Sequence, residues 1–377
     1  MLFLTLATFS QTGGVQMVCR SMARALQNIQ MKKAGLFQVL SLCDSPQNSN
    51  NKYVPASAFK GFSYQHLRFC AYALRHAASS EVVLLGHVNL LPIAWLIKRL
   101  WPRTRIILLA HGKEVWGKMP RWKARFINRK TEVWAVSRFT KKMFVSKHQV
   151  SPDKIQVLNN CLDPFFLVPP HFDKPVYLLD RYGLKQHHQV LLTLTRLDRY
   201  EHDKGYDLVL EILPTLLEEF PSTIYILAGR PSAAEQQRLR SKVDALQLTG
   251  VVIMPGFIPE EELTDHHLLA DTFVLPSSKE GFGLVFLEAA ACGSSIIAGN
   301  KDGTMDAVME GALATLIDPG SRLELTAALR KHLTRTYNDT AASLQQDRVT
   351  RRFSFSKYTA EVEELLNRIN TYKQVKT

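Results

Sequence analysis

SSKEGFGLVFLEAAACGSS, residues Ser277 to Ser295, sets one carboxylate, Glu280, directly before a Gly-Phe-Gly turn and a second, Glu288, eight residues later inside an apolar run. An acid among Leu, Phe and Ala is costly unless something pairs with it. Gly281 and Gly283 permit close backbone approach at a helix start. Free N–H groups and the helix dipole make such an end attractive to anions. Eight residues of helix rise about 12 Å at about 1.5 Å each, an upper bound because the glycine turn is not fully helical. That span is comparable to a diphosphate joining two sugars. A carboxylate at each end can accept from sugar hydroxyls while the turn faces the phosphates between them.

The flanks of this stretch place it in a fold. TFVLPS ends just before it and SIIAG begins at its last residue, and QVLLTLTRL, TIYILAG and VVIMPG precede them. Helical patterns fall between: YDLVLEILPTLLEEF, SAAEQQRLRSKVDALQ and FGLVFLEAAAC. Fully apolar strands alternating with helices predict a parallel sheet covered on both faces. The first half repeats the pattern, with LFLTLAT, FQVLSL, VVLLGH, RIILLAH, EVWAV and KIQVL as strands. Between the halves, LDPFFLVPPHFDKP is rich in proline and aromatics and reads as a linker. The expected class is α/β, with two Rossmann-like doubly wound domains facing across a cleft: 1–170, 171–355, and a terminal helix over 356–377 that packs back across the linker.

In such sheets ligands bind beyond the carboxyl ends of the strands. Gly13-Gly14, His111-Gly112, Arg196, Lys204-Gly205, Gly229-Arg230 and Glu280 all fall at those ends. Arg196 and Lys204 supply the positive charge that diphosphate oxygens need. The paired His187-His188 and His266-His267 read as surface residues, because no Cys or carboxylate set completes a metal site around them.

These residues together resemble the retaining glycosyltransferases of the GT-B fold known as family 4. The resemblance rests on Gly13-Gly14, on His111-Gly112, on Arg196 and Lys204-Gly205 within RLDRYEHDKGYD, and above all on the two glutamates with seven residues between them. It covers most of the chain and is densest over 191–319. It implies that Arg196 and Lys204 hold the donor diphosphate and that Glu280 contacts hydroxyls of the donor sugar. Backbone groups of Phe282 and Gly283 would lie near the phosphate, and Glu288 would hold the ribose. Gly14 would let its loop close on the phosphate, and His111 would sit near the transferred sugar. Glu280, His111, Arg196 and Lys204 would then be the catalytic set. The segment AGNKDGTMDAV departs from the family pattern, having Asp302-Gly303 and Asp306 where a glycine-rich loop and a glutamate are usual, so no role carries over to it. The resemblance further implies a nucleoside-diphosphate hexose as co-substrate, mannose being favoured over other hexoses, and a lipid-linked or saccharide acceptor. With no Asp-x-Asp motif, Lys and Arg stand in for a divalent cation, so no metal and no cofactor are expected.

Charge adds a partner. The chain carries +13. Residues 1–170 hold 24 Lys and Arg against 6 Asp and Glu, whereas 171–377 hold 23 against 28. Within 113–147 eleven cations face only Glu114 and Glu132, with aromatics interleaved. Trp116, Arg121, Trp122, Lys123, Arg125, Phe126, Arg129 and Lys130 therefore form an expected patch for an anionic membrane surface and its acceptor. The basic cluster matches no nucleic-acid recognition module. Five scattered cysteines without a CxxC pair suit a reducing cytoplasm. MLFLTLATFS lacks a basic flank and a cleavage site and reads as a first strand rather than a signal peptide. PIAWLIKRLW is too short to span a bilayer. The expectation is a cytoplasmic protein held peripherally at the membrane. A sugar-nucleotide epimerase or isomerase on the same fold, and a noncatalytic sugar-nucleotide binder, are the competing readings.

Overall fold

The structure, a computed structural model, describes residues 1–198, 201–335 and 338–374, with the side chains of 202 and 369–374 left out. The chain divides into two compact units, Met1–Pro164 with Phe353–Thr377, and Phe165–Arg352. The terminal helix belongs to the first unit.

The first unit contains β1 (Leu2–Thr5), α1 (Gly14–Lys32), β2 (Gln38–Ser41), β3 (Phe59–Gly61), α2 (His66–Ala77), β4 (Val82–Leu85), α3 (Leu91–Leu100), β5 (Arg105–Ala110), α4 (Lys113–Trp116), α5 (Arg121–Lys130), β6 (Glu132–Ala135), α6 (Arg138–His148) and β7 (Ile155–Val157). Its strands form one parallel sheet in the order β3-β2-β1-β4-β5-β6-β7. Alternation along each strand feeds two cores. Leu2, Leu4, Val83 and Leu85 point to one face, where α2, α3 and α5 contribute Phe69, Ile97 and Ile127. Phe3 and Leu84 point to the other, which α1 covers with Met22 and Leu26.

The second unit contains α7 (Val176–Tyr182), β8 (Gln189–Leu194), α8 (Tyr206–Glu219), β9 (Thr223–Ala228), α9 (Ala233–Ala245), β10 (Val252–Gly256), α10 (Leu263–Leu269), β11 (Thr272–Leu275), α11 (Leu284–Ala291), β12 (Ser295–Gly299), α12 (Thr304–Ala307), β13 (Thr315–Ile317), α13 (Arg322–Leu333) and α14 (Asp339–Phe353), whose last residue lies past the unit boundary. The sheet is parallel in the order β10-β9-β8-β11-β12-β13. In both sheets the order reverses beside the first strand, the doubly wound arrangement that leaves a ligand crevice at the strand ends. The chain closes with α15 (Phe355–Gln374), which lays Val362 and Leu365 on the α1 face of the first sheet.

The short edge strands β3 and β13 escaped the sequence reading. Each has only three residues and pairs on one side, too few for a period-2 pattern to register. His266 and His267 are corrected here as well: both are buried in α10. His266 bonds the Tyr182 hydroxyl at 2.8 Å and the Glu262 carbonyl at 2.7 Å. His267 lies 3.8 Å from Glu288. Among the described residues no helix is long and apolar enough to cross a membrane.

Candidate functional site

The β11–α11 loop of the second unit carries the stretch that opened the sequence reading. Leu275 ends β11, and Gly283 caps α11 without any side-chain hydrogen bond. A glycine at the cap supplies no side chain to the first-turn N–H groups of α11. Glu280, in that loop, receives the ammonium of Lys204 in a short charge-assisted hydrogen bond. Both side chains are largely buried, at 18% and 10% exposure. Burial alone would push the Lys204 pKa down; the Glu280 carboxylate outweighs it and holds the ammonium above the ordinary lysine value. Lys204 is thus a fixed cation at the end of the sheet.

The pair meets because two neighbouring segments approach the loop closely. Gly205 starts α8 in the left-handed region at φ 77°, and a Cβ there would lie 2.5 Å from the Pro276 carbonyl oxygen. Any other residue would push Lys204 away from Glu280. A Cβ on Gly303 would lie 2.0 Å from the Gly281 carbonyl oxygen, and the Gly303 N–H donates to the Glu280 carbonyl at 2.9 Å.

The residue beside Gly303 is the one the sequence reading passed over. Asp302 is 2% exposed. Its Oδ2 accepts from Ser277 Oγ at 3.1 Å and from the Glu280 N–H at 2.5 Å, and its Oδ1 accepts from the Thr304 N–H at 2.9 Å. Burial raises its pKa although those N–H groups favour the anion. Asp302 therefore braces the β11–α11 loop from the β12 side. A buried acid beside a glycine after a strand was the available signal, obscured because the segment departs from the family pattern.

Glu288 lies on α11 with 12% of its side chain exposed, and its Oε2 is 3.8 Å from His267 Nε2. Phe282 is buried at 2%, so its ring is core and only its backbone borders the loop surface. Arg196 does not join the Lys204–Glu280 pair. Its side chain is 62% exposed and reaches Glu201 at 3.6 Å. Arg199 and Tyr200 of the RLDRYEHDKGYD motif lie outside the described residues.

In the first unit, Gly14 opens α1 after the β1 loop. A Cβ built there meets nothing within 4 Å, so packing within the chain does not demand glycine. The loop itself is held from both sides. Buried Asp44 accepts the N–H groups of Thr8, Phe9 and Ser10 at 2.8, 3.1 and 3.0 Å, and Arg20 donates to the carbonyls of Thr8 and Gln11. His111 follows β5 at 7% exposure, with Nε2 2.9 Å from the Gly86 carbonyl and Nδ1 buried without a partner. Glu114 accepts the His111 and Gly112 N–H groups at 2.7 and 3.1 Å, fixing that strand end.

The expected membrane patch needs revision. Trp116 is half-buried, donates to Thr140 Oγ1 at 3.3 Å and packs edge-on against Phe139. Phe126 is core at 7% exposure. Phe126 has almost no surface to offer a lipid interface, and Trp116 only part of its ring. Trp122 is 45% exposed, and Arg121, Arg125, Arg129 and Lys130 are exposed beside it, with Lys123 half-buried. Helices α2 and α3 extend this face, since α2 packs on α3 and α3 on α5. They present Leu67, Tyr72, Trp95, Leu96 and Leu100 to solvent. None of the three helices contains an Asp or Glu. Among the described residues, no group of three His, Cys, Asp or Glu side chains is placed to hold a metal ion.

Comparison with known proteins matches this geometry to a family. A model described as "Glycosyltransferase Family 4" matches residues 12–165, and one described as "Glycosyl transferases group 1" matches 179–347. Together they take in most of both units. The chain belongs to the family-4 GT-B glycosyltransferases. A GDP-mannose-dependent α-(1-6)-phosphatidylinositol monomannoside mannosyltransferase of Mycolicibacterium smegmatis is 32% identical over 250 residues, covering 63% of each chain. A D-inositol 3-phosphate glycosyltransferase of Geodermatophilus obscurus is 26% identical over 326 residues, 75% of this chain and 68% of that one. The match thus spans a little under two thirds of the mycobacterial relative's length. In the fold comparison, the crystal structure of Anabaena HepE in complex with UDP-glucose superposes with a TM-score of 0.79 over 97% of this chain and 99% of that one, at 20% identity. The two Rossmann-like domains are therefore those of the GT-B fold.

Proposed function

We propose that this family member transfers a hexosyl group, mannosyl being favoured, from a nucleoside-diphosphate sugar to a lipid-linked or saccharide acceptor with retention at the anomeric carbon. The observation that carries the reading is the Lys204–Glu280 pair at a strand end, beside an α11 N-terminus capped by a glycine. Lys204 and the α11 N–H groups face the diphosphate, Glu280 takes hydroxyls of the transferred sugar, and Glu288 takes the ribose. When the bond between the anomeric carbon and phosphate oxygen breaks, its electron pair leaves on the diphosphate. Fixed positive charge there lowers the barrier without reorganising. The departing phosphate can take the acceptor proton, so the reaction needs no separate base and no metal. Support for the donor and acceptor comes from relatives: a GDP-mannose-dependent enzyme acting on a phosphatidylinositol mannoside, an inositol phosphate glycosyltransferase, and a fold neighbour with UDP-glucose.

The test is calorimetry of GDP and UDP on the whole chain, followed by transfer from the matching mannose and glucose donors, with product anomers read by NMR. Binding of one nucleoside diphosphate, with α-linked product from an α-donor and full activity in excess EDTA, is the expected result. Donor converted to an epimer without acceptor would replace the reading by the epimerase one, and binding without turnover by the noncatalytic one.

The α2–α3–α5 face is the proposed membrane contact. Each Lys or Arg near an anionic bilayer contributes about 1 kcal/mol, screened by salt. Replacing Arg121, Lys123, Arg125, Arg129 and Lys130 with glutamine should release the protein from vesicles containing anionic lipid, and Trp95→Ser with Trp122→Ser should weaken binding further at high salt. Nucleoside diphosphate affinity should stay unchanged. Equal sedimentation of wild type and variants with anionic vesicles would make this face an ordinary solvated one.

A further inference from the structure

A separate cleft lies in the first unit, at the carboxyl end of edge strand β3, in the chain that links it to α2. It has a volume of about 230 Å³ and is lined by Lys60, Ser63, Gln65, Arg68 and Tyr72 over a floor of Phe62. Lys60 places its ammonium 3.9 Å from the centroid of the Tyr72 ring. Its hydrogen bond to the phenol draws the Tyr72 pKa below the ordinary tyrosine value. Arg68, in the first turn of α2, donates to Gln65 Oε1 at 2.8 Å, which orients the guanidinium beside the cleft. The lining includes no carboxylate, and α2 contains none along its length. Arg68 is exposed and Lys60 half-buried, and two cations lining one concave site without an acid give it a positive field that attracts an anion.

The cleft is also rigid. Phe62 stacks edge-on against Phe69 and Tyr72, at 5.5 Å in each case. The N–H groups of Phe62, Ser63 and Tyr64 are bonded to the carbonyls of Ser41, Asp44 and Leu42 at 2.8–3.0 Å. The same Asp44 holds the β1 loop ahead of Gly14 through its side chain. One buried residue thus ties the cleft to the loop at the strand ends. Arg68 and Tyr72 also belong to α2, the helix whose exposed Leu67 lies on the proposed membrane face.

We infer that this cleft binds a phosphate group carried by the acceptor, with Lys60 and Arg68 as the charge-bearing contacts and Tyr72 as the hydroxyl donor. The inference rests on the glycosyl-transfer reading for the word acceptor, but not for the phosphate. A phosphate on a lipid headgroup and one on a soluble sugar or polyol present the same oxygens, and both suit the site. Arg68 at the fork geometry of a guanidinium and Lys60 as a point charge are the usual pairing for that group.

The experiment uses the whole chain with two probes. Glycerol 3-phosphate is titrated by calorimetry, and phosphatidylcholine vesicles with and without phosphatidylinositol are tested by co-sedimentation. Lys60→Met and Arg68→Gln should each weaken phosphate binding by about ten- to a hundredfold, the value of one charged hydrogen bond. Lys60→Arg should keep most of it. Loss confined to the vesicle arm identifies a lipid headgroup, and loss of glycerol 3-phosphate affinity a soluble phosphate; either supports the site. Unchanged affinity for both probes in both variants, with the circular dichroism and thermal midpoint of wild type as proof of folding, overturns it. Absence of nucleoside diphosphate binding in the wild type would instead defeat the transferase reading while leaving the phosphate result to stand.

Discussion

A Lys204→Met variant is expected to lose glycosyl transfer by on the order of a hundred- to a thousandfold, the range seen when one fixed donor to a developing negative charge is removed. It should also lose stability, because Glu280 would remain largely buried without its cation. Removing one partner of such a pair destabilises by up to about 3–5 kcal/mol, whereas removing both is far milder. The double variant Lys204→Met with Glu280→Gln separates structure from chemistry. Thermal denaturation should show most of the lost stability regained, while transfer stays at the level of the single variant or lower. If the pair only holds two loops together, the double variant will recover activity along with stability. The order of the two effects follows from position: Lys204 stands at the end of a sheet in a loop held by Gly205, where a charge can act on a ligand, and not on a helix face where it would serve only the fold.

The parts of this arrangement legible in the sequence are those that one segment specifies by itself. Apolar strands such as TFVL and SIIAG, separated by helices, predict a parallel sheet because burial on both faces leaves no polar alternation. Glu280 before Gly-Phe-Gly predicts a carboxylate at a helix start for the same local reason. The features that eluded the reading depend on partners far along the chain. Asp302 gains its meaning from the Ser277 hydroxyl and the Glu280 N–H, which the β11–β12 pairing brings to it. His267 reads as surface because no Cys or carboxylate set completes a metal site around it, yet α10 turns it under Glu288. Trp116 and Phe126 lie in a basic segment, and the sequence shows the charges without showing which faces of α4 and α5 the sheet takes. Composition located a basic half. Only the packing of α2, α3 and α5 on one another shows where its exposed apolar residues gather.

Asp302 supports the second large effect. Its carboxylate holds three donors from two segments, so Asp302→Ala removes the brace behind Glu280 without touching a charge in the site itself. The three donors are left unsatisfied, at about 1–3 kcal/mol for each that stays buried. Part of that is recovered as the loop relaxes, and relaxation displaces Glu280. Transfer should fall about a hundredfold, since a misplacement of about 1 Å in a positioning element costs that much. Free nucleoside diphosphate, which does not need the Glu280 contact to sugar, should bind within a few-fold of wild type. Asp302→Asn should do nearly as badly, because one carboxylate oxygen becomes an amide that points donors at donors. The pH dependence carries a further signature. Burial raises the Asp302 pKa above the ordinary aspartate value. As pH falls through that raised value the carboxylate is protonated and one of its oxygens becomes a donor facing donors, so wild-type activity should fade on its acid side earlier than an exposed aspartate would dictate. Fold stability behaves oppositely for this group: a carboxyl whose pKa is raised on folding takes up its proton more readily in the native state, so acid favours the fold while it disarms the loop. Loss of transfer on the acid side with the thermal midpoint not lowered by this group, and disappearance of that limb in Asp302→Asn, is the expected pattern. An Asp302→Ala enzyme with wild-type turnover would show that the β11–α11 loop holds its shape through Gly303 and Gly205 alone.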